Sequence, residues 1–259
     1  MFEFKISNNA NPYEFDLDCN GFPALTEKNF LFVKALIEND SNYRAPNDKS
    51  KNYKLLLESS FPKTYEQIIL AVTLIDKYDS THLSSEGRNF KAYNKGREIT
   101  AKKIEDLTVN FNLKEKLLNG CTDPIHQIAN SVNESHYKSL GTYEGKYNIS
   151  FATKYCAYVS LYSLTDDKYC IYDRVLGEIL PYYAKMYSNE DIKKVTIKNQ
   201  SDYNDYKATI DKIIAAAENL TGYKASYKQF DDLLWYYFKG ERSRIRKAME
   251  CLKEEDGRR

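Results

Sequence analysis

Lys154 and Asp173 are the two side chains in this sequence whose types and setting suggest covalent chemistry. A lysine amine that has lost its proton is a nucleophile able to form a Schiff base, and a nearby carboxylate can hold that amine or stabilise a carbon that becomes cationic. Burial or neighbouring cations favour the uncharged amine. An aspartate at the start of a helix stays ionised in the field of the helix N-terminus. The separation of nineteen residues is uninformative by itself, but the stretch between them is patterned. Ser150-Phe151-Ala152-Thr153-Lys154 opens an apolar helix reaching Leu164, Thr165 to Tyr169 is a polar loop, and Cys170-Ile171-Tyr172 leads to Asp173-Arg174-Val175 at the head of another helix. Two helix ends built this way can be aimed at one point.

The elements that must position this pair are almost all helical. Thr26 caps a helix through Phe30, Val33 and Ile37, and the capping box Thr64-Tyr65-Glu66-Gln67 opens another through Ile68, Val72 and Ile75. A basic helix spans roughly 86–106. Asp123 is a cap followed by Pro124 at the first helical position, leading to Ile125, Ile128 and Val132. Gly141, Gly145 and Asn148 mark a turn-rich stretch, and Pro181 is expected to kink or end the helix that follows Asp173. Ser201 begins a long periodic helix through Tyr206, Ile210, Ile213, Ala217 and Leu220, closed by Gly222. The capping box Ser226-Tyr227-Lys228-Gln229 starts a C-terminal aromatic helix region, about 226–253, with a break at Gly240. Residues 1–24 form an irregular lead-in, and 25–259 read as one helical domain. No period-two alternation is evident, so the fold class is all-α, with at most a short strand or two near the N-terminus.

Composition bounds the function classes. The chain has 259 residues, 42% hydrophobic and 29% charged, which suits a globular protein with a substantial core. Five cysteines lie scattered without a C-x-x-C pair, so neither a disulfide framework nor a zinc knuckle is expected. His82, His126 and His136 lack metal-ligand spacing, and there is no P-loop, no G-x-G-x-x-G and no G-x-S-x-G. Metals and cofactors are therefore not expected. The absence of a signal-like start or a long apolar run points to a cytoplasmic protein without a membrane partner. A net charge of +1 argues weakly against nucleic acid, yet basic residues cluster locally. Arg88, Lys91, Lys95, Arg97, Lys102 and Lys103 form one group, and Lys239, Arg242, Arg244, Arg246 and Lys247 form a second.

The stretch around Lys154 and Asp173 resembles the helix-hairpin-helix DNA glycosylases, particularly the 8-oxoguanine glycosylase branch. In that family a hairpin is followed by a lysine, an apolar helix, and an aspartate in an apolar setting at this same separation. The resemblance covers about residues 120–185, and Phe230 to Lys239 is similar to the aromatic helix of a prokaryotic glycosylase-like group. It implies an enzyme that excises a damaged or modified base from double-stranded DNA, with Lys154 as nucleophile, Asp173 as carboxylate partner, AP-lyase strand scission through a Schiff base, and action as a monomer. Tyr155, Tyr172, Trp235 and Tyr236 would face the everted base, while Ser150, Ala152, Thr153 and Arg174 would meet the DNA backbone. The family's glycine, apolar residue, glycine is here Ser150-Phe151-Ala152, which bears on how closely a phosphate can approach. The contrasting expectation is a non-catalytic helical DNA-binding or interaction protein that keeps the scaffold. Either can serve repair or anti-phage defence.

Overall fold

A computed structural model describes residues 15–39, 55–58, 60–79, 83, 95–131, 147–239 and 242–257. Among them the secondary structure is helical, with one isolated antiparallel bridge, Leu17 to Pro23, near the N-terminus, within the expectation of at most a short strand or two there. The expected break at Gly240, much of the basic stretch from Arg88, Gly141 and Gly145 lie outside the described residues. No described helix is long and apolar enough to cross a membrane. The chain divides into two compact units, the first made of 1–47, 173–196 and 205–259, the second of 48–172 and 197–204.

In the first unit, α1 (Glu27–Asn39) starts after Thr26, whose hydroxyl accepts the Asn29 N–H. Ahead of it, Asp18 gathers a tight turn, its Oδ1 accepting the N–H groups of Asn20 and Phe22, while Gly21 takes φ +80° at the corner. Asn29 is buried and fully used. Its Oδ1 accepts from Asp16 N, and its amide donates to the carbonyls of Asp16 and Ala24. An apparently irregular lead-in is thus held by side-chain bonds that substitute for a strand ladder.

Helix α7 (Arg174–Tyr183) anchors that lead-in from the other side. Tyr182 donates to Asp18 Oδ2, Tyr183 donates to the Pro23 carbonyl, and Tyr187 accepts from Leu25 N. Pro181 does not end α7, which runs on to Tyr183. A proline here removes the hydrogen bond to the Gly177 carbonyl and crowds it. Gly177 is itself buried, and its carbonyl accepts instead from Val195 N at 3.0 Å. The helix then widens into a π turn, Ala184–Ser188, closed by Asn189 at φ 54°.

The long helix α8 (Gln200–Thr221) begins one residue before the expected start. Asn199 Oδ1 accepts the Asp202 N–H, and Asp202 Oδ2 returns to Lys198 N. It ends at Gly222, whose φ of +72° and bond to the Glu218 carbonyl complete the stop. Leu220, placed by its spacing on the apolar stripe, is exposed. Helix α9 (Tyr227–Phe238) has the complete Ser226/Gln229 capping box and buries Phe230, Leu233, Leu234, Tyr237 and Phe238. Helix α10 (Arg242–Gly257) buries Ile245 and Ala248, and Arg244 lies 4.7 Å from the Tyr237 ring centre while donating to the Tyr237 carbonyl.

The second unit begins with α2 (Tyr65–Asp79) behind the Thr64/Gln67 capping box and continues with α3 (Lys95–Asn110), which packs on it. Their clasp is a buried ion pair. Asp76 accepts from Arg97 Nε at 2.8 Å and from Leu83 N at 2.7 Å. Gly96 permits the close approach, since a Cβ there would sit 2.2 Å from the Leu83 carbonyl oxygen. Short helices α4 (Leu113–Leu118) and α5 (Asp123–Ala129) follow. The cap of α5 is Thr122 rather than Asp123, and Pro124 occupies the second position, because the Asp123 carboxylate is engaged by Lys116. Helix α6 (Ile149–Tyr158), packed against α5, is buried on nearly every side and opens into a second π turn, Val159–Ser163.

Candidate active-site residues

Lys154 lies in the second turn of α6 and is only 5% exposed. Asn148 caps that helix, its Oδ1 accepting from Phe151 N at 3.3 Å and its carbonyl from Ala152 N at 3.1 Å. Lys154 Nζ donates to Ser150 Oγ at 3.3 Å, one turn back. A long cationic side chain is seldom buried to this degree unless its head group has specific partners, so the position is costly for an ordinary structural residue.

Thr153, fully buried beside it, makes the bond that organises the stretch. Its hydroxyl accepts from Tyr172 N at 3.1 Å and lies 3.0 Å from the Ile149 carbonyl. The residue before the lysine is thereby fastened to the residue before the aspartate, within one unit. The sequence reading gave Thr153 a place at the DNA backbone. In the structure its hydroxyl is committed inside the protein.

The phosphate contacts expected around Ser150 and Ala152 meet a similar arrangement. The N–H groups of Phe151 and Ala152 are spent on the Asn148 cap, and both residues are fully buried, while Ser150 is half-buried and bonded to Lys154. Exposed backbone donors of the kind that cradle a phosphate are not displayed by residues 151 and 152.

Asp173 belongs to the first unit. It is half-buried, has extended backbone angles, and caps α7 by accepting Leu176 N at 2.9 Å. Arg174 follows as the first helical residue with its side chain 70% exposed, its Nε donating to Glu178 Oε1 at 2.8 Å. Glu178 also accepts from Lys194 at 2.8 Å. Burial pushes the Glu178 carboxyl up, but the hydrogen bonds from Lys194 and Arg174 outweigh it and hold it below the usual carboxylate range.

The aromatic candidates separate into two kinds. Tyr155 is a core ring, fully buried beside Phe151 at 6.0 Å, and burial pushes its hydroxyl far above the ordinary tyrosine value. Among the described residues that hydroxyl has no hydrogen-bond partner. Tyr172 is half-buried. Trp235 and Tyr236 are also half-buried, packed edge to face at 5.0 Å, with the Lys239 ammonium 3.8 Å from the centre of one Trp235 ring face. They offer partly open aromatic surface on the first unit.

Sequence reasoning missed two features. One is a solvent-open groove of about 410 Å³ on the first unit, lined by Arg174, Glu178, Ile245 and Arg246. The basic run near the C-terminus was its signal. The other is Lys185, buried in the π turn of α7 and paired with Asp191 at 2.6 Å, for which no local pattern gives notice.

No group of three or more metal-capable side chains occurs among the described residues. Cys156 and Cys170 are buried and outside any disulfide, and burial pushes the Cys156 thiol up, away from reactivity. Comparison with protein-family models, with curated proteins and with solved structures gives no match.

Proposed function

We propose that this protein is a DNA glycosylase with AP-lyase activity, excising a damaged or modified base with Lys154 as nucleophile and Asp173 as the carboxylate. The observation that carries the reading is the buried amine of Lys154 together with the neighbouring Thr153–Tyr172 bond, which ties the segment leading to Asp173 onto the helix that bears the lysine. Attack on C1′ requires the neutral form of the amine, and its burial beside Ser150 keeps the nitrogen out of bulk water.

In the reaction the amine nitrogen bonds to the sugar C1′ as the C1′–N bond to the base breaks and the base leaves with its electron pair, taking up a proton. Asp173 stabilises the positive charge that develops on the sugar. Opening of the ring gives the Schiff base, elimination breaks the C3′–O bond, and water returns the lysine. The target base must be everted for C1′ to be reached, and Trp235 and Tyr236, packed edge to face on the first unit, offer aromatic surface suited to receiving it. The protein works as a monomer on double-stranded DNA in the cytoplasm, in repair or against foreign DNA.

A second reading is a non-catalytic helical DNA-binding or interaction protein that keeps the scaffold; the amides of Phe151 and Ala152 being spent on Asn148, and so not offered to a phosphate, favour its interaction-protein form. Borohydride trapping on a panel of oligonucleotides bearing single modified bases separates the two. The glycosylase reading expects a covalent adduct that Lys154→Gln abolishes. Asp173→Asn is expected to depress base release while sparing DNA binding and the fold, because asparagine caps a helix as well as aspartate does and only the charge is lost. Absence of an adduct and of base release across the panel would exclude the enzyme.

A further inference from the structure

We propose that the groove between α7 and α10 on the first unit receives a phosphodiester group of duplex DNA, held by Arg246 and by the free edge of the Arg174 guanidinium. This rests on the DNA-directed reading above and assigns to it the backbone contact that residues 150–153 do not display.

Five observations point the same way. The groove, at about 410 Å³, falls within the range of small-ligand sites and has room for a phosphate and its adjoining sugars. Arg246 is exposed on α10 and has no hydrogen-bond or ion-pair partner among the described residues. Among the described residues Arg174 is bonded through Nε, to Glu178, with 70% of its side chain exposed, so its two terminal nitrogens remain as a fork suited to phosphate oxygens. Glu178, the one acid in the lining, is already neutralised from two directions by Arg174 and Lys194, so it holds Arg174 in place more than it repels an anion. Ile245, buried, adds an apolar side to the lining, and a charge-assisted hydrogen bond beside apolar surface is stronger than one in open water.

The neighbouring sequence extends the positive border. Lys193 and Lys194 are exposed at one side, and Lys247 follows Arg246 on the exposed part of α10. The net charge of the whole chain, +1, hides this because the excess is local. Contacts of this kind position a protein on the duplex without reading its sequence, so their loss weakens all duplexes alike.

The test is fluorescence anisotropy of the full chain with unmodified duplexes of two unrelated sequences over a salt series. Arg246→Gln and Arg174→Gln are each expected to flatten the slope of log affinity against log salt by about 0.9, which weakens binding about eightfold at 0.1 M salt relative to 1 M, equally for both sequences. Lys63→Gln, removing an exposed charge in the other unit, is expected to leave the slope unchanged. Thermal melting checks that the variants fold, as their exposure leads one to expect. Unaltered slopes for both arginine variants, an equal loss with Lys63→Gln, or no duplex binding by the wild type overturns the assignment. Borohydride trapping of the wild type runs alongside. Flattened slopes without an adduct or base release uphold the groove and remove the enzyme, whereas an adduct with unaltered slopes upholds the enzyme and removes the groove.

Discussion

Replacing Thr153 by valine tests whether the bond between the lysine helix and the segment leading to Asp173 matters. Valine keeps the shape and β-branching of threonine, so α6 is not disturbed, but the acceptor for Tyr172 N is gone. A buried donor left unsatisfied costs about 1–3 kcal/mol, and the half-buried setting of Tyr172 places this case at the lower end, about 1–2 kcal/mol. In a unit of this size that lowers Tm by about 2–8 °C. Thr153→Ser is the control. It retains the hydroxyl and loses one buried methyl, at a cost of about 1 kcal/mol, so its melting point falls comparably. Hydrogen exchange distinguishes the two. The Tyr172 amide should exchange about 5–30-fold faster in the valine variant, as 1–2 kcal/mol of local opening requires, and near the wild-type rate in the serine variant. Base release should follow the exchange and not the melting point. Identical Tyr172 protection in wild type and Thr153→Val would refute the reasoning, as would equal loss of activity in both variants.

Two further outcomes are expected from the cores. Asp76→Ala removes the carboxylate that holds Arg97 and Leu83 N, leaving a cation and an amide without it in a nearly closed site, and should lower unfolding free energy by about 3–5 kcal/mol in chemical denaturation. Asp76→Asn, which can still accept from Leu83 N, should lose less. At the alkaline end, burial holds the hydroxyls of Tyr155, Tyr183 and Tyr203 above the ordinary tyrosine value of about 10. Their folded-state pKa is raised, so the neutral form is favoured by folding. That stability is complete below pH ~10 and declines above it, where the unfolded chain releases protons that the folded one retains. Absorbance of tyrosinate should therefore rise in two stages, exposed residues first and buried ones only with loss of helical circular dichroism; a single early stage would contradict the burial.

Local signals in the sequence were read well where the stabilising partner is itself local. The Thr64 and Ser226 capping boxes and the Gly222 stop are contained within a few residues, and each occurs. Local reading falls short where the partner is remote. Pro181 stays inside α7 because Val195, fourteen residues on, takes over the Gly177 carbonyl, and no window around the proline contains that information. Asp123 loses its capping role because Lys116, on the preceding helix, competes for the carboxylate. For the candidate site, the burial of Lys154 follows from the apolar run around it, whereas the Thr153–Tyr172 bond joins residues nineteen apart and needs the fold to be known. The groove at Arg174 and Arg246 brings together residues seventy-two apart.

The twenty-three tyrosines bear on where a base could be received. Tyr169, Tyr182, Tyr183 and Tyr203 direct their hydroxyls to backbone carbonyls or to Asp18, and each ring is buried. They act as core residues with one polar tether, which suits a helical fold whose connecting segments have few ladder bonds. Tyr155 is buried with them, so an aromatic platform has to come from rings that keep some open surface. Trp235 is one, and Lys239 already lies over one of its faces. A cation–π contact at such a site contributes about 0.5–1 kcal/mol, whereas stacking a base on an aromatic ring contributes about 1–3 kcal/mol. The lysine is thus the weaker occupant. It can yield the ring to a base, or stay and present its charge to the phosphate beside one, and in both cases the half-exposed tryptophan is a better receiver than any of the buried tyrosines.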